Sequence, residues 1–236
     1  MMPGTRQEHW DAVFTTKADE ALSWFQVKPE TSLRLIRACH LPKDAVILDA
    51  GAGTSHLPDV LLAEGYSNIV VLDVSAAALE RTRERLGDKG RSVRFIIADL
   101  AAWKPDVTVD LWHDRAVLHF LTEPRDRTAY AEALRRAVKP GGFVLISGFA
   151  PSGPERCSGL PVLRVDPGAI ATLLGPGFDL VDAFEEDHQT PFGGQQRFVF
   201  TRFRRRWTQP QGLNPEVNVS TCQWPRTRRG APRTGR

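Results

Sequence analysis

Two glycines and three carboxylates lie where they can surround a small organic ligand. Gly51 and Gly53 follow an apolar run in VILDAGAGTS, and glycine permits a tight turn and close approach of a ligand to the backbone. Asp49 precedes this turn, whereas Asp73 and Asp99 each end a later apolar run. A carboxylate in the position of Asp73 can accept hydrogen bonds from both hydroxyls of a ribose. The pattern therefore predicts a nucleoside-binding site.

The three acids favour a nucleoside that is itself a cation. Asp99 in IIADL can accept the exocyclic amine of adenine, with Leu100 against the ring. Asp49 can orient the glycine turn or bind an ammonium group. S-Adenosylmethionine carries both a sulfonium and an amino group, whereas these acids would repel the pyrophosphate of NAD. A P-loop is excluded because no GK[ST] follows the turn.

Alternating strand and helix signals predict the framework that carries these residues. Five strand candidates are apolar almost throughout, as in a parallel sheet covered on both faces, and they are 45–50, 68–74, 93–99, 109–114 and 143–149. Helical stretches lie between them at 55–64, 75–86 and 125–138. A short helix near 166–174 and a hairpin of 178–187 with 195–205 follow. We predict an α/β fold with five parallel strands, then an antiparallel hairpin at one edge, and helices on both faces.

The motifs in residues 45–149 resemble the class I S-adenosylmethionine-dependent methyltransferases. The matching pieces are VILDAGAGTS, VVLDVS, FIIADL, VDLWHDRAVLHFL and LRRAVKPGGFVLISGF. The resemblance implies a Rossmann-like, seven-stranded sheet and an enzyme with S-adenosyl-L-methionine as its cofactor. It assigns Gly51 and Gly53 to the methionine moiety, Asp73 to the ribose, and Asp99 with Leu100 to the adenine. Serine replaces the glycine found in many members at position 55.

The N-terminal segment EHWDAVFTTKADEALSWFQ resembles a subgroup that includes lysine methyltransferases of elongation factor 1A and of mitochondrial citrate synthase. In that subgroup a Trp-aromatic pair helps to close over the cofactor, and Trp24 with Phe25 matches it. The resemblance therefore adds Trp24 to the cofactor site. Packing of Trp10 and Trp24 in a lid helix is the alternative. The methyl acceptor stays open between a small molecule and a protein lysine.

Several side chains are candidates for contact with the acceptor. Asp114 can orient an amine or hydroxyl, or alternatively can pair with Arg115 or cap the next helix. His119 is in an apolar run, which favours a packed histidine with one satisfied nitrogen. Cys157 can contact a substrate, although a lone cysteine is more often inert. Scattered histidines and the absence of CxxC argue against a metal site.

Charge and composition divide the chain into three predicted parts: a helical lid segment (1–44), a methyltransferase domain (45–206) and a disordered, Arg-rich tail (207–236). Nine Arg and one acid lie between Arg202 and Arg236, so the net charge of +3 becomes −5 without them. The acidic body argues against a nucleic-acid face. No apolar signal core or bilayer-length run is present, so we expect a cytoplasmic protein without membrane contact.

Two other functions remain as alternatives. An NAD(P)-dependent oxidoreductase can use the same sheet, although neither Tyr66 nor Tyr130 has a lysine in the register of a proton relay. A non-catalytic protein that binds S-adenosylmethionine or RNA is the second, and the intact Gly and Asp set argues against it. The oligomeric state is left open.

Overall fold

The computed structural model describes residues 5–207, and a seven-stranded sheet forms its centre. Five strands run parallel, then β7 runs antiparallel between β5 and β6, in the order β3-β2-β1-β4-β5-β7-β6. This arrangement confirms the predicted α/β fold with a hairpin at one edge. The strands are β1 (Val46–Ala50), β2 (Asn68–Asp73), β3 (Val93–Ile97), β4 (Val109–Arg115), β5 (Val138–Phe149), β6 (Phe178–Gln189) and β7 (Gln195–Arg205).

Six α-helices lie in the described residues, and polar side chains cap several of them. Thr5 and Glu8 form a reciprocal capping box at the first helix, and Ser75 and Asp166 accept backbone N–H bonds at the fourth and sixth. The helices are α1 (Arg6–Thr16), α2 (Glu30–Arg37), α3 (Leu57–Ala63), α4 (Ala76–Leu86), α5 (Pro124–Ala137) and α6 (Pro167–Leu174).

Apolar side chains cover both faces of the sheet, as its continuous apolar strands predict. On one face, Trp112 of β4 packs in a cluster with Tyr130 of α5 and Ile170 of α6. On the other face, Leu111 of β4 joins a second cluster with residues of α2, α3 and α4, for example Leu61. Successive β4 residues therefore enter opposite cores. At the ligand-binding end of the sheet, this alternation decides on which face each β4 side chain lies.

The structure differs from the sequence predictions at a few boundaries. Strand β5 begins at Val138 rather than at 143, because Val138 pairs with Val109 before a shift in register. The loop after β5 contains a two-residue hairpin, Arg156–Cys157 with Leu160–Pro161. The predicted tail lies outside the described residues from position 208 onward. Between positions 5 and 207, no helix has the length and hydropathy needed to cross a bilayer.

Candidate functional site

One cavity at the carboxyl ends of the parallel strands contains nearly all of the predicted site residues. It is the position at which open parallel sheets bind ligands. Two groups among its lining residues are distinct in chemistry, and we call them the carboxylate half and the aromatic half. The carboxylate half consists of Asp49, Gly51, Gly53, Asp73, Asp99 and Leu100. The aromatic half consists of Arg115, His119, Phe149, Cys157, Gln196 and Phe198.

The glycine turn connects the ends of β1 and β2. The backbone N–H groups of Gly51 and Ala52 donate to the carbonyl of Leu72, at 2.7 and 3.0 Å. Gly51 and Gly53 have φ values of 70° and 52°, a region that other residues adopt only with strain. A Cβ at Gly53 would lie 2.9 Å from Cζ of Phe14, so the lid helix α1 also requires glycine there.

Asp73 organises this turn from the end of β2. Its Oδ2 accepts from the N–H of Gly53 and its Oδ1 from the N–H of Ser75, both at 2.8 Å. Burial raises the pKa of Asp73 to about 6, and the nearby charge of Asp49 contributes, although the backbone bonds oppose the shift. Each carboxylate oxygen can accept one further hydrogen bond. The ribose contact predicted for Asp73 is therefore compatible with its position.

Asp49 has one carboxylate oxygen bound and one free of partners. Its Oδ1 lies 2.7 Å from Nδ1 of His113, whose Nε2 lies 2.8 Å from Oγ of Ser32. The other oxygen, Oδ2, is buried without a hydrogen-bond partner among the described residues. A buried carboxylate oxygen of this kind requires a donor. The amino group predicted to meet Asp49 is such a donor, so the residues present fit an aminoacyl ligand.

Asp99 and Leu100 line the cavity beyond the end of β3. Arg6 of α1 binds Asp99, with Nη1 2.8 Å from Oδ2, and also pairs with Asp126; neither contact was predicted. No local pattern predicts these contacts, because Arg6 is far from both acids along the chain. The pairs connect the lid helix to the part of the cavity predicted for adenine.

The N-terminal segment covers the cavity with aromatic rings. The ring of Trp24 makes edge contacts with Trp10 at 5.9 Å and Phe14 at 6.5 Å between centroids. Asp11 of α1 accepts from the hydroxyl of Ser75 at 2.6 Å, which attaches α1 to the start of α4. Trp24 lines the cavity as predicted, and its packing within the lid is also observed. Its contact with a cofactor remains a prediction.

The structure places Asp114 away from the cavity. Its side chain enters the α5 face of the sheet, where Oδ2 accepts from the Tyr130 hydroxyl at 2.7 Å and Oδ1 from the N–H of Val117 at 2.8 Å. Burial raises its pKa to about 6. The alternative weighed from the sequence, a cap on the following turn, matches these contacts. We therefore withdraw the role of Asp114 in acceptor positioning.

The aromatic half contains polar groups whose environment the sequence did not reveal. Both ring nitrogens of His119 are buried without partners among the described residues, which corrects the expectation of one satisfied nitrogen. Burial lowers the pKa of His119 to about 3 and raises that of the Cys157 thiol to about 11. Arg115 and Gln196 were not predicted to line a site. Residues 5–207 hold no cluster of three or more potential metal ligands.

A family model described as a methyltransferase domain matches residues 47–142, which include the glycine turn and the three acids. This match and the fold support a class I S-adenosylmethionine-dependent methyltransferase. The chain is 35% identical over 120 residues to a ubiquinone/menaquinone biosynthesis C-methyltransferase of Coxiella burnetii, covering 49% of this chain and 47% of the relative. It is 26% identical over 159 residues to an EEF1A lysine methyltransferase 2 of Danio rerio, covering 61% of this chain and 68% of the relative.

A mouse eEF1A lysine and N-terminal methyltransferase is 24% identical to this chain in the aligned region. That region covers 20% of the length of the mouse protein. Among solved structures, the N-methyltransferase NodS of Bradyrhizobium japonicum with S-adenosylhomocysteine has a TM-score of 0.63 and 16% identity, covering 84% of this chain and 98% of NodS. A solved structure concerned with conversion of a disulfide into a thioacetal in echinomycin biosynthesis has a TM-score of 0.70 and 21% identity. The match covers 87% of this chain and 94% of that chain. At these identities the structures support the fold.

Proposed function

We propose that this protein transfers the methyl group of S-adenosylmethionine to a small-molecule acceptor. The observation that carries the proposal is the continuity of one cavity from the carboxylate half to the aromatic half. The first half provides anionic and backbone groups that suit a cationic nucleoside. The second provides an apolar space next to it, in which an acceptor can be aligned without water.

The carboxylate half has a separate task for each of its acids. Asp49 would bind the ammonium group through its unpartnered Oδ2, and Asp73 would accept from the ribose hydroxyls. Asp99 would accept from the adenine amine, with the buried side chain of Leu100 against the ring. S-Adenosylmethionine, when bound, supplies an electrophilic methyl group on a sulfonium. The glycine turn lets the backbone approach this ligand closely.

The enclosure of the aromatic half favours a small molecule over a protein segment. Trp10 and Trp24 cover it from the N-terminal side, Cys157 lines it from the loop after β5, and Phe198 lines it from β7. A protein lysine is the second candidate, and it is favoured by relatives that are named as eEF1A methyltransferases. Either acceptor would gain a methyl group through in-line displacement at the sulfonium.

Transfer of radioactive methyl groups distinguishes these candidates. The full chain is incubated with methyl-labelled S-adenosylmethionine and a cell extract that has been separated by ultrafiltration into small molecules and macromolecules. We expect label to move into a small-molecule product that chromatography separates from S-adenosylmethionine, and an Asp49→Asn protein to transfer much less. Label confined to proteins would support the lysine candidate instead. Binding of the cofactor without transfer to either fraction would favour a non-catalytic binding protein.

A further inference from the structure

Arg115 is the only charged side chain in the aromatic half of the cavity. The other charged residues that line the cavity among positions 5–207 are Arg6, Asp49, Asp73 and Asp99, all on the side of the carboxylate half. In the aromatic half, the low pKa of His119 and the high pKa of Cys157 keep both groups neutral near pH 7. The ligand-binding surface there combines aromatic rings, neutral polar groups and one guanidinium.

The guanidinium of Arg115 points away from the carboxylate half. Its Nη1 donates to the carbonyl of Trp24 at 2.8 Å, and its Cζ lies 5.5 Å from the ring centroid of Phe198. Arg115 belongs to β4, whereas Phe198 belongs to β7, with β5 between them in the sheet. The side chain therefore extends across β5, on the opposite side from β1 and β2, which carry Asp49 and Asp73.

This guanidinium lacks a negative partner in the part of the chain that the structure describes. Its Nε is buried and makes no hydrogen bond, and its single polar contact is to a neutral carbonyl. Burial lowers the pKa of Arg115 to about 10, although the charge of Asp49 opposes the shift. Arg115 is partly buried, and withdrawing a cation from water without a counterion, even in part, is unfavourable. An anionic ligand in the cavity would relieve this penalty.

We propose that the methyl acceptor is a small aromatic anion whose carboxylate, or an equivalent planar anionic group, pairs with Arg115. Guanidinium binds carboxylate through two parallel hydrogen bonds, and the unpartnered Nε is one of the donors available. The rings of Phe149 and Phe198 would enclose the aromatic part of the acceptor. The buried Oε1 of Gln196, which has no partner within residues 5–207, can accept from a hydroxyl or amine on the acceptor. This inference rests on the proposed methyltransferase function.

Three probes of similar shape and different charge test the inference. Benzoate, benzamide and benzylamine are titrated into the full chain loaded with S-adenosylhomocysteine, and binding is followed by ligand-observed NMR. We expect benzoate to bind at least tenfold more tightly than benzamide, with benzylammonium the weakest. Arg115→Met should abolish the preference for benzoate and retain S-adenosylhomocysteine. Arg94→Met is the control, because Arg94 is exposed and lies outside the cavity.

The outcomes separate the acceptor assignment from the proposed function. Equal binding of the three probes, or preference for benzylammonium, by a protein that binds S-adenosylhomocysteine would overturn only the anionic acceptor. Loss of S-adenosylhomocysteine binding in a folded Arg115→Met protein would assign Arg115 to the cofactor instead. Failure of the wild-type protein to bind S-adenosylhomocysteine would overturn both. If Arg115→Met does not fold, Arg115→Lys should keep a reduced preference for benzoate over benzamide.

Discussion

The imidazole of His113 joins Asp49 to Ser32 and thereby fixes one carboxylate oxygen while leaving the other unpaired. Nδ1 lies 2.7 Å from the Asp49 carboxylate and Nε2 lies 2.8 Å from the Ser32 hydroxyl, so the contact connects β4, β1 and α2. If Nδ1 carries the proton, it donates to Asp49 and Nε2 accepts from Ser32. The orientation of Asp49 is thus held by buried neighbours rather than by the ligand.

Asp49→Asn should weaken binding of S-adenosylhomocysteine by roughly tenfold to a hundredfold, because hydrogen bonds to a charged group contribute about 1.5–3 kcal/mol. The neutral amide keeps the shape of the side chain and loses its charge. Calorimetric titration measures the effect. Asp44→Asn is the matched control, since Asp44 is exposed and outside the cavity. A dissociation constant within twofold of the wild-type value would disprove the role of Asp49 in binding the ammonium group.

The affinity for S-adenosylhomocysteine should fall as the pH decreases through about 6. Burial raises the pKa of Asp73 to about 6 in the free protein, and ribose hydroxyls would donate to its ionised form. The ligand therefore lowers this pKa, and below the free-protein pKa it competes with a proton. Between the pKa of Asp73 in the ligand-bound protein and its pKa in the free protein, we expect the affinity to fall by up to about tenfold per pH unit. Above pH 7, the ionisation of Asp73 should not affect the affinity.

Titrations between pH 5 and pH 8 measure this dependence, and Asp73→Asn provides the comparison. The variant should bind more weakly and should lose this pH dependence. If wild type and variant show the same pH profile, the titrating group is not Asp73 and the ribose assignment loses its support.

Asp126→Asn should loosen the lid helix α1. Asp126 and Asp99 both pair with Arg6, so the variant keeps the predicted adenine contact and weakens the attachment of the helix. Amide hydrogen exchange of residues 6–16 should become severalfold faster, and S-adenosylhomocysteine should dissociate faster. Asp88→Asn, which changes an exposed pair elsewhere, is the control. Unchanged exchange in α1 would show that Asp126 does not hold the lid.

Tyr130→Phe should lower the free energy of unfolding by about 1–3 kcal/mol, since Asp114 loses a buried donor and the indole of Trp112 loses its acceptor. Binding of S-adenosylhomocysteine should stay unchanged because none of these three side chains lines the cavity. Urea unfolding and calorimetry give the two quantities.

Asp114→Asn tests, through its effect on kcat, whether Asp114 acts in stability rather than in positioning the acceptor. We expect it to lower stability and to leave kcat, measured with a small-molecule acceptor, within a few fold of the wild-type value. A more than tenfold loss of kcat at unchanged stability would restore Asp114 as an acceptor-positioning residue.

The carboxylate half could be predicted because its acidic residues lie at or near the ends of strands. Asp49, Asp73 and Asp99 each lie at or next to the end of an apolar run, and parallel strands bring such ends to one edge of the sheet. The positive φ values of Gly51 and Gly53 agree with the turn predicted there.

The aromatic half could not be predicted in this way because β4 is buried on both faces. A strand of this kind has no alternation of polar and apolar residues, so the sequence LWHDR does not say which side chain faces the cavity. The pleat directs His113 and Arg115 to the cavity and Asp114 to the opposite core. The pairing of Arg6 with Asp99 depends on long-range packing of α1, which no local pattern encodes.

The most direct test of the account is calorimetric titration of the full chain with S-adenosylmethionine, S-adenosylhomocysteine and NAD. We predict one site per chain that binds the two adenosyl compounds with micromolar affinity and does not bind NAD. Binding of NAD with no binding of S-adenosylhomocysteine would contradict it and would favour an oxidoreductase on the same sheet.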